Sequence, residues 1–329
     1  MTVRLSILDL ATVTGQRTPH EALQGSVATA QAADSLGYVR YWFAEHHNMP
    51  SILSSATSVL IGHIAGQTSN IRVGSGGIML PNHSPLVIAE QFGTLETLYP
   101  GRIDLGVGRA PGGDRETFLA LRRDPAAAEH FPQDVAELRD FLGPAQPGRR
   151  VLAVPGTDTN VPIYILGSSL FGAKLAASLG LPYAFASHFA PAALNDALDA
   201  YRSGFQPTEH LSRPYVIAAM NVYAANTRDT AEELFRDNLV RMARGLISRA
   251  GNAPLEVDDD TLLASPVGEQ VRSMLRHTAV GAAGDVRSEV RAFAEHTRAD
   301  ELMIVTNMGD VDARIRSLQI LAGVVPPSG

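Results

Sequence analysis

Short apolar segments alternate with longer amphipathic segments along most of the chain. Eight of the apolar segments read as β-strands, and an amphipathic segment follows each of them. The predicted strands cover residues 3–10, 38–44, 71–75, 103–107, 162–166, 182–186, 215–224 and 301–306. Because the strands are apolar on both faces and alternate with helices, the pattern favours a parallel sheet closed into a (β/α)8 TIM barrel with insertions. A doubly wound open sheet is the alternative.

Capping residues mark several of the predicted helices. Ser84 can accept a hydrogen bond as the N-cap of one helix, Pro85 fits its first position, and Pro100 ends it. A capping box at residues 18–21 opens an earlier helix, which closes at Gly37. The other predicted helices cover residues 52–65, 114–123, 131–142, 168–179, 191–204, 227–247, 285–297 and 311–321.

Length and composition fit one large domain. The chain has 329 residues, of which 45% are hydrophobic, enough for the core of a barrel that carries insertions. No change of composition near the middle indicates two domains, so we predict a single domain over residues 1–329. Periodicity is weak over about 248–280, where an acidic run at 258–260 is typical of solvated charge. We expect a surface insertion there.

Charge and cysteine content exclude several classes of function. A formal net charge of −7 disfavours nucleic acid and anionic membranes as partners. The absence of cysteine excludes disulfides, thiolate metal sites and a cysteine nucleophile. We see no signal-peptide pattern and no apolar run long enough to span a bilayer, so the expected location is the cytoplasm.

The barrel interpretation directs attention to the carboxyl ends of the strands, where this fold carries its active sites. Serines and an arginine at two of these ends suggest an anion site. Gly167, Ser168 and Ser169 connect a strand to a helix, and Arg109 ends another strand. Taken singly, the serines are explained by N-capping and Arg109 by a salt bridge with the acidic residues at 114 or 116. Together they favour a phosphate-bearing cofactor, although no Gly-x-Gly-x-x-Gly fingerprint accompanies them.

Two adjacent histidines follow the second strand. In an extended chain, the adjacent side chains of His46 and His47 point to opposite faces. Both can therefore bind one metal ion only if the chain departs from strand geometry at this point. A metal site with His83 and His188 is conceivable, but no metal-binding spacing supports it, and we predict none. One histidine acting as an acid, a base or a hydrogen-bond donor is the better interpretation. The alternative is a packing histidine bonded to Glu45.

Three segments carry a family resemblance. They are RYWFAEHHNMP (40–50), VGSGGIMLPNHSPLVIAEQFGTLETLYPGRIDLGVGRAPG (73–112) and PIYILGSSLFGAKLAASLGLPYAFASHFAP (162–191). The chain resembles the bacterial luciferase-like, flavin-dependent monooxygenase superfamily, closest to its YhbW-like branch. The resemblance implies a (β/α)8 barrel that binds FMN at the carboxyl ends of its strands.

The resemblance also implies roles for individual residues. Gly76 and Gly77 match a bulge, often with a non-prolyl cis peptide, against which the isoalloxazine ring rests. The phosphate contacts match Arg109, Ser168 and Ser169, and His46 matches a histidine proposed as a general base near the flavin C4a position. We further assign Asp9 and His188, at two other strand ends, to the substrate pocket. Residues 110–112 replace an aromatic-bearing loop of luciferase, so light emission is not expected.

The function implied is oxygenation of a small organic substrate by reduced FMN and O2. Since no nicotinamide fingerprint is present, we expect a separate NAD(P)H:flavin reductase to supply the reduced flavin. Luciferase-like barrels commonly pair through helices beside strands two to four, so we expect a homodimer. Three alternatives remain open: a deazaflavin (F420)-dependent oxidoreductase on the same fold, a metal-dependent barrel hydrolase, and a non-catalytic flavin-binding protein.

Overall fold

The structure, a computed structural model, describes residues 3–15, 17–110, 115–145, 147–249 and 257–325, except for the side chains at 115 and 125. Within these residues the strands are β1 (Arg4–Asp9), β2 (Arg40–Phe43), β3 (Arg72–Met79), β4 (Ile103–Gly108), β5 (Ile163–Gly167), β6 (Tyr183–Phe185), β7 (Val216–Ala224), β8 (Thr278–Gly281) and β9 (Glu301–Val305). The α-helices are α1 (Pro19–Ser35), α2 (Thr57–Ala65), α3 (Pro85–Leu98), α4 (Arg115–Leu121), α5 (Phe131–Leu142), α6 (Leu170–Leu179), α7 (Leu194–Gly204), α8 (Arg228–Arg249), α9 (Asp259–Ala264), α10 (Pro266–Met274), α11 (Ala283–Thr297) and α12 (Val311–Val324). None of these helices is both long and apolar enough to cross a membrane.

Eight strands close into a parallel barrel. Strands β1 to β7 pair in the order of the chain, β7 also pairs with β9, and β9 pairs with β1. The (β/α)8 prediction is confirmed, and closure excludes the open sheet. All eight predicted strands are present.

Side chains of alternate strand residues enter two separate apolar clusters. Tyr41 and Phe43 on β2 belong to a large cluster that also contains helix residues such as Phe92, so this cluster lies between the barrel and its helices. Trp42 and Ala44 belong to a smaller cluster built from strand residues, which fills the barrel interior. This period of two follows from strand geometry, because successive side chains point to opposite faces.

All the predicted helices are present, most of them with shifted ends. The capping box at Thr18 and Glu21 opens α1 as expected, and α5 has the predicted bounds. Ser84 stands at the N-cap of α3, but its side chain makes no capping hydrogen bond, contrary to expectation. Residue 114, the predicted start of α4, lies outside the described residues, and α7 begins three residues after the predicted 191.

The stretch predicted as a surface insertion contributes a strand that we did not predict. Residues 250–256 lie outside the described part, and α9 and α10 follow them. Next comes β8, which pairs with β7 from Asn221↔Thr278 to Ala224↔Gly281, while β9 pairs with the first half of β7. A ninth strand therefore extends one side of the barrel at its carboxyl end.

Candidate active site

A cavity of about 660 Å³ opens at the carboxyl ends of the barrel strands. Seven of the eight predicted site residues line it: His46, Gly76, Gly77, Arg109, Ser168, Ser169 and His188. Strand ends that are distant in sequence therefore form one site, as the barrel geometry predicts.

Glycines on β3 and β4 form part of the cavity wall. A Cβ on Gly76 would lie 2.6 Å from Leu8 Cδ1, and one on Gly77 would lie 2.7 Å from the carbonyl oxygen of Gly106. At Gly108, a Cβ would meet nothing within 4 Å. The wall of the site is thus bare backbone, which a flat ligand can approach closely.

The segment between Ser75 and Ile78 departs from regular strand geometry. The pairing register of β3 with β4 shifts there, and the peptide bond between Gly76 and Gly77 is cis. Both features agree with what the family resemblance implies for this position.

A buried ionic network supports the cavity from inside the barrel. Arg40 Nε lies 2.7 Å from Glu301 Oε1, and its Nη1 lies 2.8 Å from Asp104 Oδ2. Trp42 Nε1 donates to the same Asp104 oxygen over 3.1 Å, and Trp42 lines the cavity. The network holds the indole in place, because buried charges must be paired with good geometry.

One end of the cavity has the features of an anion site. Ser169 occupies the N-cap position of α6, but its side chain makes no capping bond, so the hydroxyl and the first amides of the helix can bind a ligand. Arg109 extends from the end of β4, and its guanidinium carbon lies 4.1 Å from the ring centroid of Phe171 in the first turn of α6. Ser169 therefore does not act as a plain N-cap, and a cation lies beside a helix N-terminus.

Arg109 forms no ion pair with Glu116 in the described part of the chain. Asp114, the other predicted partner, lies outside the described residues, as do residues 111 and 112 of the loop that differs from luciferase.

The two adjacent histidines have different surroundings. His47 and His83 both place Nε2 2.7 Å from Oε1 of buried Glu45, whose Oε2 accepts from the Met79 amide over 3.0 Å. His47, not His46, is therefore the histidine bonded to Glu45. His46 lines the cavity, and its Nδ1 is buried with no hydrogen-bond partner among the described atoms.

Burial changes the proton affinities in the site. It is the main cause that lowers the pKa of His46, and the charge of Arg249 lowers it further. The pKa of His188 falls to about 3 through burial and then through His46. Burial alone would raise the pKa of Glu45, but hydrogen bonds from His47 and His83 hold it below its ordinary value. Near pH 7 both cavity histidines are neutral and Glu45 is ionised.

Asp9 is not in the cavity, so its assignment to the substrate pocket is corrected. Its carboxylate lies 2.7 Å from Arg314 and accepts hydrogen bonds from the Tyr41 hydroxyl and the Ala11 amide. With 2% of its surface exposed, Asp9 is a structural member of a buried ion pair. A strand-end position alone did not reveal this, because the partner arginine lies on the last helix.

A comparison with known proteins identifies the family. The family model described as luciferase-like monooxygenase matches residues 3–301. The chain belongs to the luciferase-like monooxygenase family. A luciferase-like monooxygenase of Escherichia coli K12 is 46% identical over 98% of this chain and 97% of its own length. An N-acetyl-S-alkylcysteine monooxygenase of Bacillus subtilis 168 is 38% identical over 70% of each chain.

Solved structures give the same fold. Apo-MsnO8 is 34% identical and superposes with a TM-score of 0.87, with 99% of each chain covered. At 17% identity and a TM-score of 0.71 each, a type II Baeyer–Villiger monooxygenase in complex with FMN and an F420-dependent secondary alcohol dehydrogenase share the fold over at least 99% of each chain.

In this luciferase-like chain, several residues that line the cavity do not lie at predicted strand ends. Arg249 is the last residue of α8, and Met242 lies two turns before it on the same helix. Met274 and Leu275 come from the stretch predicted as an insertion. These residues lie on helices or directly after them, where the sequence gives no sign that they face the cavity. Only the folded geometry brings them to the site.

Proposed function

We propose that the protein is a monooxygenase that binds FMN and uses its reduced form with O2 to oxygenate a small organic substrate. Family membership supports the monooxygenase class. The observation that carries the choice of cofactor is the pairing of Arg109 with the open N-terminus of α6 at one end of the cavity.

The residues present fit a flavin mononucleotide. The Ser168 and Ser169 hydroxyls, the first amides of α6 and Arg109 suit one phosphate group. The bare backbone at Gly76 and Gly77 suits the close approach of a planar ring. Beyond these groups the lining is largely apolar, as cofactor sites usually are.

Bound in reduced form, the flavin would supply the two electrons that split O2, so that one oxygen atom enters the substrate and the other leaves as water. The protein would orient the ring against Gly76 and Gly77 and exclude water from its face. His46, whose side chain lines the cavity, would accept or donate a proton there. Its lowered pKa keeps it neutral and able to act as a base near pH 7.

A thioether is a suitable first test substrate. The B. subtilis relative is named for N-acetyl-S-alkylcysteine, and it shares 38% of its residues with this chain over the matched region. We propose to use N-acetyl-S-benzylcysteine as the probe, with its sulfoxide as the expected product.

We propose that a separate reductase supplies the reduced FMN. The chain has no dinucleotide fingerprint, and the anion site suits one phosphate rather than a pyrophosphate. Anaerobic mixing of the protein, FMN and NADH should leave the flavin absorbance unchanged, whereas bleaching at a catalytic rate would contradict this.

A homodimer through α2 and α3 is also a proposal. On α2, Ile61 and Ile64 are buried against the barrel, while Val59 is 69% exposed. Leu98 at the end of α3 is 63% exposed, which leaves apolar surface on neighbouring helices. Light scattering should give about twice the 35.1 kDa chain mass, and the mass of a single chain would refute the dimer.

The alternatives predict different ligands. An F420-dependent oxidoreductase would bind F420 in preference to FMN. A metal hydrolase would use Glu45, His47 and His83, whose ligating atoms lie within 4.8 Å of one another. The 2.7 Å distances among these atoms are those of hydrogen bonds, so the cluster is satisfied without an ion.

The deciding experiment compares cofactors and then turnover. Trp42 is the only tryptophan and lines the cavity, so its fluorescence reports occupancy. We expect FMN to quench it at lower concentration than riboflavin, FAD or F420. With a reductase, NADH and O2, the thioether probe should then give its sulfoxide. A preference for F420 would contradict the proposal, and so would metal in the purified protein together with no FMN binding. Tight FMN binding without turnover of a broad panel of substrates would favour a storage role.

A further inference from the structure

Arg249 is a second cation in the cavity lining, apart from Arg109. It ends α8 and lies exposed at the mouth, with its Nη2 3.4 Å from the sulfur of Met49 in the segment after β2. A thioether sulfur is a weak acceptor, so this contact leaves the guanidinium without a strong partner among the described residues.

The other arginines of α8 with described contacts differ from Arg249. Each donates to an oxygen atom: Arg228 to Asp285, Arg236 to Asp260, Arg241 to the Asn307 carbonyl and Arg244 to Asp259. A position in the last turn favours a cation through the helix dipole. The dipole does not, however, explain why the one arginine of α8 that has no oxygen acceptor among the described residues is the one that lines the cavity.

Glu45 is the only carboxylate among the described lining residues, and it is already bound by His47, His83 and the Met79 amide. It is therefore not available to neutralise Arg249. If Arg109 binds the cofactor phosphate, Arg249 is left as a positive charge that no carboxylate of the described lining neutralises. Its charge reaches the remaining space of the cavity, because it contributes, after burial, to lowering the pKa of His46.

The remaining space is apolar and adaptable. Five of the eight methionines of the chain line the cavity: Met49, Met79, Met242, Met274 and Met303. Methionine side chains are unbranched and polarisable, so they adapt to apolar ligands of varied shape.

We propose that Arg249 binds the anionic head group of an amphiphilic substrate, a carboxylate or sulfonate whose apolar body lies among the cavity methionines. This inference rests on the proposed function, because it assumes that the cofactor occupies the Arg109 end. It adds a substrate class: organic acids with an unbranched or aryl-alkyl body.

The test measures binding of matched ligands by isothermal titration calorimetry, with oxidised FMN bound. The ligands are decanoate, decanol and decylammonium, which share one chain and differ in charge. We expect wild type to bind decanoate most tightly. In Arg249→Gln, decanoate affinity should fall about tenfold to a hundredfold, as for loss of a charge-assisted hydrogen bond, while decanol affinity changes less than about twofold.

Two further variants complete the test. Arg244→Gln removes a surface ion pair from the same helix outside the cavity lining, and should bind decanoate as wild type does. Arg249→Lys keeps the charge and should retain part of the affinity. Circular dichroism and FMN affinity check the fold of each variant.

Several results would overturn the inference. They are equal decanoate binding by wild type and Arg249→Gln, a preference for decanol or decylammonium, or no decanoate binding by the FMN-loaded wild type. A selective loss of FMN affinity in Arg249→Gln would assign this cation to the cofactor. Failure of wild type to bind FMN at all would instead refute the proposed function, so the two failures are separable.

Discussion

The guanidinium of Arg109 lies 4.1 Å from the ring centroid of Phe171, and this contact joins the end of β4 to the first turn of α6. Stacking of this kind fixes the orientation of the planar cation. Arg109 is otherwise exposed, so the contact accounts for how it is positioned beside the helix N-terminus. A ligand anion there would meet oriented N–H groups from both elements.

The first prediction follows from that contact. Arg109→Ala should weaken FMN binding by about ten- to a hundredfold, which corresponds to about 1.5–3 kcal/mol for a charge-assisted contact. Riboflavin has no phosphate, so its affinity should change little. Arg149→Ala is the matched control, because Arg149 stacks on Phe141 at 4.2 Å outside the cavity lining. Equal loss of FMN and riboflavin affinity would show that Arg109 does not contact the phosphate.

The second prediction concerns two glycines of the cavity wall. Gly77→Ala would bring a Cβ within 2.7 Å of the Gly106 oxygen and 2.8 Å of its carbonyl carbon, so β4 must move. We expect a loss of about 1–3 kcal/mol in unfolding free energy together with weaker FMN binding. Gly108→Ala has no atom within 4 Å of its Cβ and should fold with stability within about 0.5 kcal/mol of wild type. Urea unfolding measures both, and a fully stable Gly77→Ala variant would contradict the packing argument.

The third prediction concerns the carboxylate shared by two histidines. Glu45→Gln replaces one of the two carboxylate oxygens with an NH2 group. If the remaining oxygen stays with His47 and His83, the Met79 N–H loses its acceptor, and if the amide is turned, both imidazoles lose theirs. Unfolding free energy should fall by about 1–3 kcal/mol at pH 7, the cost of an unsatisfied buried polar group. Exposed Glu116→Gln serves as the control. An unchanged unfolding midpoint in Glu45→Gln would mean that water satisfies the group that the substitution leaves without an acceptor.

The barrel could be predicted from sequence because its signal is local and repeated. Each strand is a short apolar run, and residues such as Trp42 and Phe43 enter opposite cores simply because strand side chains alternate. The strand Thr278–Gly281 was missed because its apolar run is only Ala279 and Val280, in a stretch whose periodicity is weak. So short an apolar run cannot be told apart from the apolar positions of the neighbouring helices.

The site was predictable only where its residues follow strands. His46, Arg109 and Ser169 were found because parallel strands bring their ends to one face. The role of Asp9 depends on Arg314, an ion-pair partner far away in the chain, and no local pattern shows such a pairing. Arg249 was missed for the same reason, because its place at the cavity depends on how α8 packs.

The last prediction is a pH dependence that originates in His188. Burial, and then the charge of His46, lower the folded-state pKa of His188 to about 3, whereas an unfolded histidine has a pKa of about 6.5. Below about pH 6.5 the unfolded chain therefore binds a proton that folded His188 does not accept. Stability is lost as the pH falls from about 6.5 towards 3, with a slope of up to about 1.4 kcal/mol per pH unit from this one group.

His188→Leu removes this contribution. The flavin-free variant should lose less unfolding free energy than wild type between pH 7 and pH 5, measured by urea denaturation followed by circular dichroism. His210→Leu, at a side chain that is 74% exposed, is the control and should follow the wild-type curve. Parallel curves for wild type and His188→Leu would show that His188 takes up its proton in the folded cavity, where water then reaches its ring.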